Sequence, residues 1–128
     1  MENIINNYID CCINSNGAHY DISLVINEIL KNDFRYIGNN IWEYKNENNE
    51  WVIDDKNKRL KYDIKTKAVN YFLERAKYWS DQSNKDEDKN IKFDCKLKEL
   101  RILQITNKIN DAKFLLLVIK EIKQFYNI

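Results

Sequence analysis

The sequence predicts an α+β fold, mainly helical, in which a small three-stranded antiparallel β-meander sits between an N-terminal helical pair and three C-terminal helices. Three observations carry that expectation. Apolar residues recur every three or four positions over most of the chain, and a stretch from Phe34 to Ile53 switches to strand-like patterning interrupted by two polar turns. Proline is absent and glycine occurs twice, so helices can run long. At 128 residues the chain fits one domain, 1–128. Its Ile, Leu, Val and Phe content, against a formal net charge of +1, lies well away from the composition of disordered chains.

Taken in order, Ile4, Ile5, Tyr8, Ile9, Cys12 and Ile13 predict an amphipathic helix over Glu2 to Asn14, ended by Ser15-Asn16-Gly17. Asp21 is placed to cap a second helix whose apolar face is Ile22, Val25, Ile26, Ile29 and Leu30, stopping near Asn32-Asp33. Phe34 to Ile37 and Ile41 to Lys45 read as strands around Gly38-Asn39-Asn40, residues that tolerate positive φ. Asn46 to Asn49 form a second turn, and Glu50 to Ile53 a third strand. From Leu60, the residues Ile64, Ala68, Tyr71, Phe72, Ala76 and Trp79 step by three or four, predicting a core helix to about Ser80 with a broad apolar arc. Asp81 to Asn90 reads as a polar loop. Phe93, Leu97, Leu100, Leu103 or Gln104 and Ile109 mark another helix. Asp111 can cap a last one, apolar at Phe114 to Ile119, Ile122 and Phe125, which reads as almost fully buried or docked on something outside this chain.

The residues that usually carry catalysis are missing. His19 is the single histidine, in a loop before a helix, and no nucleophile elbow, zinc-protease helix or P-loop pattern occurs, so the expectation is a protein that is not an enzyme and needs no cofactor. Asp54-Asp55 and Asp86-Glu87-Asp88 could bind a cation but read as solvated surface, and no metal is expected. Cys11, Cys12 and Cys95 are odd in number and lack Cys-x-x-Cys spacing, so they read as buried thiols. Met1-Glu2-Asn3-Ile4 does not open a signal peptide, and the longest apolar run, Phe114 to Ile119, is far short of the roughly 20 residues that span a bilayer. An intracellular, cytoplasmic location with no membrane contact is the expectation.

Charge is more informative by segment. Residues 1–55 hold three basic and ten acidic side chains, residues 56–128 eighteen and ten, and the sign reverses at Asp55/Lys56. Lys56, Lys58, Arg59, Lys61 and Lys65 crowd the start of the long helix, with Lys67, Arg75 and Lys77 further on, the electrostatic footprint a phosphate backbone needs. An ideal wheel puts Lys61 and Lys65 inside the apolar arc begun by Leu60. Phe34, Tyr36, Trp42, Tyr44 and Trp51 concentrate in the sheet; core packing is the main reading, with Trp42 and Tyr44 as candidate stacking surfaces for bases.

The run Tyr20-Asp21-Ile22-Ser23, Phe34-Arg35-Tyr36-Ile37, Ile41-Trp42-Glu43-Tyr44, Glu50-Trp51-Val52 and Leu60 resembles the linker domain that precedes the superfamily 3 helicase in primase-helicases of large DNA viruses, including the poxvirus type, and of some phages. The likeness covers residues 20–126 and leaves residues 1–19 as an N-terminal helical extension. It implies a non-catalytic DNA-replication module that binds DNA or positions primase and helicase domains, in the host cytoplasm or at a viral replication site. No catalytic residue carries over, because the family keeps its Walker motifs and primase carboxylates in flanking domains. The alternative is a protein–protein interaction or oligomerisation module without nucleic-acid affinity, using the apolar last helix and the exposed part of the sheet.

Overall fold

Each amphipathic stretch folds as a helix that buries one side. The computed structural model describes residues 2–15 and 17–126; Met1, Asn16, Asn127 and Ile128 lie outside, so of the expected stop only Ser15 and Gly17 are placed. Helix α1 (Glu2–Asn14) buries Ile5, Ile9, Cys12 and Ile13. Gly17 follows at φ +74°, its N–H donating to the Cys12 carbonyl, and a Cβ there would stand 3.1 Å from Ile105. Helix α2 (His19–Leu30) buries Ile22, Val25, Ile26 and Leu30. It starts earlier than expected, at His19, with Ala18 at its N-cap, so Asp21 sits in the first turn and favours the helix dipole without capping it.

Strands β1 (Phe34–Tyr36), β2 (Trp42–Lys45) and β3 (Trp51–Ile53) form the expected meander, order β1-β2-β3, all antiparallel. The register pairs Phe34 with Tyr44, Tyr36 with Trp42 and Tyr44 with Val52 on one face, and Arg35 with Glu43 and Lys45 with Trp51 on the other. The first face packs on the core. The second faces outward and mixes charged residues with Trp51 and the exposed Ile53, and it holds an Arg35–Glu43 ion pair of 2.6 Å.

From Lys58 the chain is helical to Lys85: α3 (Lys58–Asp63), a π-turn (Ile64–Ala68) and α4 (Val69–Lys85). The helix runs five residues past Ser80, and the expected loop shrinks to Asp86-Glu87-Asp88 before α5 (Lys89–Ile109), packed on α4. Residues 81–85 and 89–90 are polar but compatible with a helix, and neither proline nor glycine interrupts them. Asp88 caps α5, accepting from the Asn90 N–H at 2.8 Å.

Helix α5 turns a different side to the core from the one its large apolar residues suggest. Cys95, Ile102, Ile105 and Ile109 are buried, whereas Phe93 and Leu100 are exposed. Helix α6 (Ala112–Ile122) is capped by Asp111 as expected, at 3.1 Å from the Phe114 N–H, and packs on α2 through Leu115, Val118, Ile119 and Ile122. It is not almost fully buried, since Leu116 and Leu117 face solvent. A final turn brings Tyr126 onto the sheet, its hydroxyl donating to the Phe34 carbonyl (3.2 Å) and its ring standing edge-on to Trp42. Burial pushes that phenol up to about 12. Cys12 and Cys95 are buried, and burial pushes the Cys12 thiol well above its ordinary range; Cys11, expected inside, is exposed. Among the described residues, no helix is long and apolar enough to cross a membrane.

Candidate nucleic-acid interface

The residue after β3 builds the start of the long helix. Asp54 is 5% exposed; its N–H donates to the Trp42 carbonyl (2.8 Å), and its carboxylate accepts from the Arg59 and Leu60 N–H groups, both at 2.8 Å. Lys56 and Asn57, at φ 54° and 58°, take the left-handed turn that lets residue 54 reach amides five and six positions ahead. Asp54 is therefore a buried structural carboxylate, where the sequence suggested solvated surface. It also fills the positive end of α3, the place a phosphate could otherwise take from the backbone amides.

Past Asp54, α3 sorts its side chains onto three faces at about 3.6 residues per turn. Leu60, Ile64 and Ala68 are buried. Arg59, Asp63 and Lys67 form the flank toward the sheet: Asp63, 2% exposed, meets Arg59 Nε at 3.4 Å and Lys67 Nζ at 3.6 Å, and the Arg59 guanidinium lies 5.1 Å from the centre of the Tyr44 ring. With Asp33, Phe34 and Lys45 they line a cavity of about 90 Å³. Lys58, Lys61, Tyr62 and Lys65 share the third face, which points outward; Tyr62 is 64% exposed.

The five cations expected at this helix start thus divide. Arg59 is committed to Asp63 and Tyr44, as is Lys67 to Asp63. Lys56, Lys58, Lys61 and Lys65 enter no ion pair among the described residues. Lys61 and Lys65 also fall outside the apolar arc, contrary to the ideal wheel. The Val69 N–H bonds the Ile64 carbonyl across the π-turn, which takes up one residue more than an α-turn. Everything after Ala68 is set back by about 100° relative to Leu60, and the buried arc narrows accordingly. Tyr62, between the lysines, went unmarked in the sequence; its i, i+3 and i, i+4 spacing to Lys65 and Lys58 was the available signal.

Neither candidate stacking residue presents a free ring. Trp42 is 1% exposed, with Tyr36 and Tyr126 rings 5.2 and 5.4 Å away, and Tyr44 is half-buried beneath Arg59. Both lie on the inner face of the sheet. Trp51 is on the outer face, where Arg35 and Lys45 cover its ring at 4.4 and 5.3 Å.

No protein-family model, curated protein or solved structure matches the chain.

Elsewhere the charged residues have structural work. Arg75, counted with the basic run in the sequence, donates two hydrogen bonds to Asp10 (2.6 and 3.0 Å), and the Trp79 indole N–H donates to the same carboxylate at 3.2 Å, fastening α1 to α4. His19 opens α2 and stands edge-on to Phe114 at 5.3 Å. Among the described residues no three His, Cys, Asp or Glu side chains are grouped to hold a metal ion.

Proposed function

We propose that the chain is a non-catalytic DNA-binding module that holds a phosphate backbone against the outward face of α3. One observation carries this reading: Lys58, Lys61 and Lys65 share that face with the exposed Tyr62 and none of the three is in an ion pair among the described residues, while the adjacent buried carboxylates Asp54 and Asp63 are already occupied. Seven residues of helix place Lys58 and Lys65 about 10 Å apart along the axis, the reach of roughly three successive charges on one strand of a duplex. Lys56, exposed in the preceding turn, extends the row. Tyr62 offers a ring to an unpaired base, in place of Trp42 and Tyr44. The likeness to the primase-helicase linker domain adds a setting to the proposal, DNA replication beside primase and helicase domains in a cytoplasmic compartment.

Fluorescence anisotropy of labelled duplex and single-stranded DNA tests it. Three backbone contacts correspond to an affinity loss of about 40-fold for duplex, or about 20-fold for a single strand, between 50 and 200 mM salt. Absence of binding at the lower salt, or binding indifferent to salt, would overturn the proposal. A second reading, contact with a neighbouring protein domain without DNA affinity, has Leu116 and Leu117 in its favour, exposed on α6.

A further inference from the structure

Helix α5 is apolar on two opposite sides. At 3.6 residues per turn, Phe93, Leu97 and Leu100 fall within about 60° of one another, facing away from the buried row Cys95, Ile102, Ile105 and Ile109. Phe93 is 68% and Leu100 54% exposed, so three large apolar groups at i, i+4 and i+7 lie along a rigid helix whose outer two are left largely uncovered by the described residues. We propose that this stripe is a self-association surface that receives the same stripe of a second copy, antiparallel about a two-fold axis near Leu97.

The charges beside the stripe select that occupant. Asp94 and Arg101 lie on one edge of it, both exposed, and neither is in an ion pair among the described residues. In an antiparallel pair centred near Leu97, Phe93 of each copy meets Leu100 of the other and Leu97 meets its own counterpart. The same edges then face each other, with Asp94 of each copy opposite Arg101 of the other, twice by symmetry. A parallel pair would oppose edges of different kind and bring Lys96 against Arg101 twice, whereas the antiparallel pair brings Lys96 near a like charge only once, its own counterpart at the axis. Lys96 is already held by Glu99 of its own helix at 3.3 Å. The stripe spans only about two helical turns, too short to reach the roughly 1,200 Å² of buried surface typical of a stable complex, so the dimer is concentration-dependent.

Sedimentation equilibrium of the full chain tests the proposal independently of DNA. Between about 10 µM and about 1 mM the weight-average mass is expected to rise from the monomer's 15.5 kDa toward twice that. Phe93→Ser with Leu100→Ser should hold it at the monomer value. Asp94→Arg alone, or Arg101→Asp alone, should weaken association at least 10-fold, and the two together should restore it. These positions are exposed, and an unchanged circular dichroism spectrum will show that the variants fold. A monomer throughout the range, single charge variants that associate as well as the parent, or a double exchange that fails to restore association would each overturn it.

Discussion

The helical run 58–85 carries basic residues both at its start and in the middle of α4, and they are used in opposite ways. In mid-α4 Arg75 is enclosed by Asp10, Trp79 and the Tyr78 ring, its charge committed to joining α1 to α4. At the near end Lys58 and Lys65 are exposed and Lys61 is half-buried, and none of the three is in an ion pair among the described residues, although two buried carboxylates, Asp54 and Asp63, stand on the same turns. A sequence count adds all of these cations together. Only the position of the carboxylates separates them: Asp10 is one helix away from Arg75 and aimed at it, whereas Asp54 is turned onto backbone amides and Asp63 lies on the adjacent flank. Charge left over after the fold has satisfied itself is the charge available to a partner.

The largest way to break this contrast is at Arg75. Asp10→Ala leaves Arg75 largely buried with two donors unpaired, and urea denaturation is expected to show a loss of about 2–3 kcal/mol. A loss below about 0.5 kcal/mol would mean that Arg75 is as free as the lysines. Next in size is Asp54→Ala, which opens two amides of α3 and should lower stability by about 1–2 kcal/mol with some loss of helical signal. Tyr126→Phe removes the hydroxyl that holds the C-terminal turn to Phe34, for about 1 kcal/mol at neutral pH. Because burial raises the Tyr126 phenol from 10.0 to about 12, its protonated form is favoured in the folded state. That contribution is full below about pH 10 and is lost as pH rises toward 12, so the parent should lose stability more steeply than Tyr126→Phe in that window. The smallest effect belongs to the near end: Lys58→Glu, Lys61→Glu and Lys65→Glu together should change stability by no more than about 0.5 kcal/mol.

Much of the fold was legible because period and punctuation agreed. Glu2 to Asn14, the meander between Phe34 and Ile53 and the Asp111 cap all follow from spacing and turn residues. Three features were not. The π-turn at Ile64–Ala68 has no composition of its own, yet it decides on which side of the arc Lys61 and Lys65 fall. Helix α5 carries apolar residues on both sides, and Phe93 and Leu100 pointed to the wrong one; Cys95, Ile102, Ile105 and Ile109 are the core residues. Asp54 looked like surface because its partners are backbone amides brought back by a left-handed turn at Lys56 and Asn57. At the site, the lysines were legible from charge alone, but the commitment of Arg59 to Asp63 and the burial of Trp42 depend on tertiary packing.

DNA affinity measured across a salt series for the parent, the triple lysine variant and Arg75→Lys tests the central claim most directly. The expected result is that the triple variant loses nearly all binding, with the slope of log affinity against log salt shallower by about 2–3, while Arg75→Lys binds DNA as the parent does and is less stable. Equal affinity and slope for the parent and the triple variant would contradict the claim.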